Sequence, residues 1–222
     1  MLPDGDQADE DGVVGVGADL APGTLVDAYR RGIFPWPHVG VPLPWFSPDP
    51  RAVIALERVH VSRSLRARLR RCGWVTTVDQ AFGGVVAACA QRPPDVGTWI
   101  TDDLARAYRQ LHHLGWAHSF EVWENGELVG GMYGVQIGAV FTGESMFHRR
   151  SDASKVALVD AVDRLRESGA WLLDVQLSTP HLETMGAIEV PRSWFLNQLR
   201  QASGHAPRLA LGARPVARLA AG

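Results

Sequence analysis

Between Ile33 and Pro50 the chain places six prolines, at positions 35, 37, 42, 44, 48 and 50, interleaved with Phe34, Trp36, Trp45 and Phe46. Proline fixes φ and has no amide hydrogen, so this density forbids a helix and interrupts any long sheet ladder. The aromatic rings nonetheless have to be covered. The segment is therefore expected to be an ordered, packed loop, with Trp36 or Trp45 pinned near a cleft.

The flanking segments are simpler. Residues 1–17 are rich in glycine and acid (Asp4, Asp6, Asp9, Glu10, Asp11) and read as a mobile acidic tail, the opposite of a basic secretory leader. Asp19 to Arg31 reads as a helix with Leu25, Ala28 and Tyr29 on one face, stopped by Gly32. Arg51 to Leu56 reads as a short strand. Together, residues 18–60 are expected to form a small N-terminal domain.

Residues 61–222 carry the longer pattern. Ser62 caps a helix to about Arg71, with Leu65 and Leu69 inward and Arg63, Arg66, Arg68, Arg70 and Arg71 on its other faces. Val75–Val78 reads as a strand, Gln80–Gln91 as a helix, and Thr101 caps a helix to His113. Phe120–Trp123 and Leu128–Val129 flank Asn125-Gly126, a two-residue hairpin signal. The strand pattern continues through Gly130–Val135, and another strand follows at Ala139–Phe141. Ser151–Ser168 has the broadest apolar stripe and is ended by Gly169. The apolar strand Trp171–Leu177 and a helix around Ser193–Ala202 complete the chain. This order predicts an α+β fold with a mixed sheet, and a hairpin–helix–strand succession of the acetyltransferase type in the C-terminal domain.

Composition narrows the function. A formal charge of −2, 46% apolar and 21% charged residues exclude a disordered chain, a coiled-coil rod and a collagen-like repeat. No run of about 18 apolar residues is present, so no membrane partner and a cytoplasmic location are expected. Cys72 and Cys89 lack ligand spacing, and the eight histidines are scattered without an HExxH pattern. Metal catalysis is therefore not expected. There is no Walker A or GxGxxG loop for ATP or a dinucleotide. Arg149-Arg150-Ser151-Asp152, ahead of the longest helix, lacks the glycines that would grip coenzyme A.

Some residues stand out against this background. Asp174 and Gln176, two apart on an apolar strand, should share a side. Buried without partners they would cost about 1–3 kcal/mol each, so they are either structurally satisfied or face a site. Glu144 lies among apolar neighbours in Gly143-Glu144-Ser145-Met146-Phe147. It reads either as a surface turn carboxylate or as a buried group orienting a hydroxyl or amine. Met132, Phe141, Met146 and Leu173 read either as core or as a pliable apolar pocket. The arginine helix reads either as a solvated face or as a phosphate contact, with the aromatic loop supplying stacking surfaces of the kind RNA ends use.

A run of motifs then resembles one family. They include Tyr29-Arg30-Arg31-Gly32-Ile33-Phe34-Pro35-Trp36, Ser47-Pro48-Asp49-Pro50-Arg51 and Gly97-Thr98-Trp99-Ile100-Thr101. With them go Leu128-Val129-Gly130-Gly131-Met132-Tyr133-Gly134-Val135, Phe141-Thr142-Gly143-Glu144-Ser145-Met146-Phe147 and Asp174-Val175-Gln176. Over about residues 19–200 the chain resembles the bacterial leucyl/phenylalanyl-tRNA–protein transferases.

The resemblance implies transfer of Leu, Phe or Met from tRNA to the α-amine of proteins beginning with Lys or Arg, marking them for N-end-rule degradation. It implies an acetyltransferase-like domain, no metal and no coenzyme A; a monomer is expected. It also implies roles. Trp36 and Trp99 would stack on the terminal adenosine. Met132, Phe141, Met146 and Leu173 would hold the aminoacyl side chain. Glu144 would lie close to the ester. Asp174 would orient the incoming cationic N-terminus, and Gln176 would assist the amine or the ester carbonyl. Arg63, Arg66, Arg70 and Arg71 would contact the tRNA backbone. Trp45-Phe46 replaces the two tryptophans common in the family. Ser178-Thr179 replaces a stretch that holds Asn in some members, and Ala161 stands where some carry a bulkier residue. Two rival classes are a coenzyme A-dependent acetyltransferase, which needs the missing glycine loop, and a non-catalytic RNA-end binder, which has no use for Asp174 with Gln176.

Overall fold

The structure is a computed structural model that describes residues 2–38, 40–91 and 97–220. In chain order the first elements are β1 (Val13–Val16), α1 (Pro22–Arg30), β2 (Phe34–Pro35), β3 (Pro44–Phe46) and β4 (Arg51–Ala55). Next come α2 (Arg63–Arg71), β5 (Val75–Val78), α3 (Phe82–Ala90) and α4 (Asp102–His113). The hairpin strands β6 (Ala117–Glu124) and β7 (Glu127–Ile137) lead to β8 (Val140–His148), α5 (Ala153–Ser168) and β9 (Leu172–Gln176). The chain closes with α6 (Pro180–Glu183), β10 (Ile188–Val190), α7 (Arg192–Ala202) and β11 (Arg214–Pro215).

The fold is α+β, as the order of elements suggested. Among the described residues there are two sheets: a small one ordered β1-β3-β2, and an eight-stranded one ordered β10-β4-β9-β8-β7-β6-β5-β11. The large sheet is mixed, because β8 and β9 run parallel while its other pairs are antiparallel.

The proline-rich segment departs from the loop expectation. It forms β2 and β3, strands of two and three residues. Each is short enough for prolines to sit at strand ends. Residues 1–17, expected as a mobile tail, instead include β1, paired to β3 from Val13↔Phe46 to Val16↔Pro44. Asp4 pairs with Arg31 at 3.0 Å. Trp45 is fully buried and donates its indole N–H to Gly17 O at 2.6 Å, whereas Trp36 is left partly exposed.

Two apolar cores lie on the two sides of the large sheet. Period-two alternation divides neighbours between them: Leu172 belongs to the core built by α1, α3, α4 and α7, and Leu173 to the one built by α2 and α5. The caps formed as expected, Ser62 accepting from Leu65 N and Thr101 from Leu104 N. Gly130 lets α5 lie close against the sheet, since a Cβ there would stand 2.5 Å from that of Ala153. A bulge follows between Tyr133 and Gly134, where a Cβ would meet Thr142 O at 2.1 Å. Strand β4, assigned to the N-terminal domain in the sequence reading, pairs inside the large sheet against β9. That pairing shapes the site.

Candidate active site

Two adjoining cavities open beside the C-terminal end of β9. One, of about 440 Å³, is lined by Trp99, Met132, Met146, Glu144 and Gln176, with His148, Ser154 and His181 at its polar side. The other, of about 270 Å³, is lined by Phe34, Trp36, Trp99, Glu144, Gln176 and Leu182. Trp99, Glu144 and Gln176 border both, as do Val175, Thr179 and Leu182, and together they form the ridge between the two.

Met132 and Met146 are direct partners across β7 and β8 and share the apolar wall. Phe141 and Leu173 are fully buried and border neither cavity. They back the wall: Leu173 Cδ1 lies 3.5 Å, and Met132 Cε 3.2 Å, from where a Cβ on Gly143 would stand. Trp36 sits in an aromatic group with Phe34, His38 and Phe46, its ring 5.6 Å from that of Phe46. The exposed Arg63, Arg70 and Arg71 and the partly buried Arg66 lie on α2, outside both cavities.

Glu144 is the centre of a polar chain. Tyr29 and Tyr108 hydroxyls are 2.9 Å apart, and Tyr108 donates to Glu144 Oε2 at 2.6 Å. Gln176 Nε2 donates to Glu144 Oε1 at 3.2 Å. Loss of water pushes the carboxyl of Glu144 up from 4.5 to about 7, against the pull of the tyrosine hydroxyls; Asp174 adds to the rise and Arg51 opposes it. Burial also raises Tyr29 and Tyr108 well above the ordinary phenol range. Tyr133 packs edge-on against Tyr108, its ring 5.2 Å away.

Asp174 is not where the sequence reading puts it. It is fully buried and borders neither cavity. Arg51 Nε and Nη2 donate to its two oxygens at 2.8 and 2.7 Å, Thr142 Oγ1 donates at 3.1 Å, and the main-chain N–H of Gln176 at 3.0 Å. With both oxygens so occupied, it does not meet an incoming amine. The physical reason is local. The β4–β9 register shifts between Ala52 and Val53, and Gln176 has φ +58°, so period-two alternation ends at Gln176. Gln176 turns toward the cavities while Asp174 points to Arg51. That guanidinium is itself held between the rings of Phe34 and Phe195, at 5.1 and 4.4 Å, and donates to Gly32 O.

Sequence reasoning missed Arg51, Tyr29, Tyr108, Ser154 and His181 as parts of this region. The signal for Arg51 was present, a charged residue opening the apolar run Ala52-Val53-Ile54-Ala55. Among the described residues no group of three or more His, Cys, Asp or Glu side chains could hold a metal ion. None of their helices is long and apolar enough to cross a membrane.

Comparison with known proteins assigns the family. Residues 53–200 match the family described as Leucyl/phenylalanyl-tRNA protein transferase, and residues 18–49 match its N-terminal domain. The chain belongs to the leucyl/phenylalanyl-tRNA–protein transferase family. The break between the two matches falls where the chain passes from the small sheet to the large one, ahead of the boundary expected at residue 60.

Relatives of that name are similar along most of their length. The one from Shewanella baltica is 48% identical over 87% of this chain and 82% of its own. The one from Anaeromyxobacter sp. (strain K) is 50% identical over 90% and 87%, and that from Myxococcus xanthus 48% over 91% and 87%. Among solved structures, L-PGS from Bacillus licheniformis aligns at 13% identity and a TM-score of 0.43, over 67% of this chain and 48% of that one. That likeness is too distant to bear on the transferase assignment.

Proposed function

We propose that this transferase moves leucine or phenylalanine, and also methionine, from tRNA to the α-amine of cytoplasmic proteins beginning with Lys or Arg, marking them for N-end-rule degradation. The observation that carries the reading is the sharing of one ridge, Trp99, Glu144 and Gln176, by an apolar cavity and an aromatic one. The apolar cavity takes the aminoacyl side chain against Met132 and Met146. The aromatic cavity takes the terminal adenosine between Trp36 and Trp99. The ester joining the two then lies at the ridge.

The neutral α-amine attacks the ester carbonyl. A C–N bond forms, the C–O bond to the ribose breaks, and the ribose oxygen leaves as a hydroxyl after taking up a proton. Donation from Gln176 Nε2 to Glu144 fixes the sense of the amide, so that Gln176 Oε1 is turned to accept from the amine. Glu144, with a proton affinity near neutrality, takes the proton the amine sheds. Holding amine and activated ester together supplies much of the acceleration, and the reading calls for no metal ion or coenzyme A. Asp174 acts through its neighbours, anchoring Arg51 and the main chain of Gln176. The succession β6–β7–β8, then α5, then β9 parallel to β8, supports an acetyltransferase-like reading of the larger unit.

The test mixes purified protein, tRNA charged with labelled leucine, and peptides beginning with Arg, Lys or Ala. Label enters the Arg and Lys peptides. Equal labelling of the Ala peptide removes the proposed acceptor class, and no labelling at all removes the transferase reading.

A further inference from the structure

The large sheet has a free edge beside the site. Among the described residues, β10 pairs with β4 alone and ends the order β10-β4-β9. Ala52 of β4 faces Glu189 on one side and Gln176 on the other. With strands about 4.8 Å apart, Glu189 and Gln176 are about 10 Å apart across the sheet. Strand β4 is antiparallel to both neighbours, so β10 runs in the direction of β9, and its last residue, Val190, lies one row beyond Gln176. An edge strand offers unpaired amide and carbonyl groups to any extended chain, and lysine, proline, a bulge or a cover usually blunts it. Beyond its shortness, three residues, β10 has none of these. Its register on β4 is unbroken, Ile188 is 50% exposed and Glu189 is exposed, whereas β4 and β9 are almost wholly buried. Among the described residues, no main-chain group of Ile188, Glu189 or Val190 bonds outside β4, and the carboxylate of Glu189 has no partner.

The reaction indicates the occupant. The ridge at Gln176 lies between two cavities, so an α-amine reaches it on an extended leader rather than on a folded end. A chain that starts at Gln176 crosses about 14 Å to lie outside β10, or about four residues at 3.3 Å each. It then runs away from the site, opposite to the direction of β10. The uncompensated Glu189 favours a leader that carries positive charge.

Resting on the transferase reading above, we infer that the edge of β10 holds the acceptor protein: its chain, from about the fifth residue onward, adds to the large sheet as an antiparallel strand. Main-chain hydrogen bonds there supply affinity without regard to side chains. One enzyme can then serve many proteins that share only their first residue.

Initial rates with the unaltered protein, leucyl-tRNA and Arg-initiated peptides test this. Lengthening the peptide from four residues to nine should lower its KM about tenfold and leave kcat unchanged. In the longer peptide, a single N-methyl group on the amide of residue 6 or of residue 7 removes one donor. Alternate amides face a neighbouring strand, so one of the two should raise KM about three- to tenfold, as one lost hydrogen bond would, and the other should leave it unchanged. A benzophenone side chain at residue 6 should crosslink to residues 188–190. Equal KM for the two lengths overturns the edge site. So does an equal effect of the two methyl groups, or a crosslink confined to other elements. If neither length of peptide accepts leucine, the proposed acceptor class itself fails, a separate result.

Discussion

Replacing Arg51 by Met tests the argument that Asp174 serves the site through its partners. The Arg51–Asp174 pair is bidentate, with both side chains almost completely buried at 1% and 0% exposure. Such a pair adds little over well-packed apolar residues, because desolvation offsets the attraction; removing one partner strands the other charge at a cost of about 3–5 kcal/mol. For a chain of this size each kcal/mol moves Tm by about 2–4 °C, so Arg51→Met should lower Tm by roughly 6–20 °C. In the double variant Arg51→Met/Asp174→Leu no charge is stranded, and most of that loss should return. Some remains, since Thr142 Oγ1 and the amide of Gln176 lose an acceptor. Leucine transfer should behave differently. Gln176 holds a left-handed φ of +58° with its N–H bonded to Asp174 Oδ1, so the double variant should be as stable as a working enzyme yet slow, with the loss in kcat. Thermal unfolding and initial rates on the parent, single and double variants decide it. A single variant within 1 kcal/mol of the parent, or a double variant with parental kcat, refutes the reasoning.

Other outcomes follow from the same geometry. Glu144 is carried from 4.5 to about 7 on folding, so its contribution is fully present below about pH 4.5 and is lost as pH rises through 7. Unfolding free energy should therefore fall between pH 5 and 8 by at most about 3 kcal/mol, and Glu144→Gln should flatten that slope in denaturant titrations while slowing transfer. Trp99 borders both cavities, so Trp99→Ala should raise KM for leucyl-tRNA about 5- to 100-fold, the range of one lost base stack. An unchanged KM would take Trp99 out of the nucleoside slot. Replacing Arg63 and Arg70 together by Ala should weaken tRNA binding and reduce the slope of log K against log salt by about two, one for each lost phosphate contact. An unaltered slope would return α2 to the role of a solvated face.

Local signals carried much of the fold. Ser62 and Thr101 cap their helices, Asn125-Gly126 turns the β6–β7 hairpin, and the stripe on α5 is buried as its period requires. Strands β1 and β10 escaped notice because four and three residues carry too little alternation to separate from loop, and each exists only through a partner distant in sequence. The site divides in the same way. Glu144, Met132, Met146 and Gln176, singled out by residue type, gather with Trp99, singled out only by the family resemblance, whereas the setting of Asp174 depends on a strand 123 residues earlier.

Arg51 opens one apolar strand and Asp174 interrupts another. Each charge buried by itself would be prohibitive, so two opposite charges in two apolar strands are best buried against each other. That condition makes β4 and β9 neighbours. It takes Asp174 off the list of groups free to bind substrate, and it leaves Gln176, the last residue of β9, as the polar side chain of this strand able to reach the cavity.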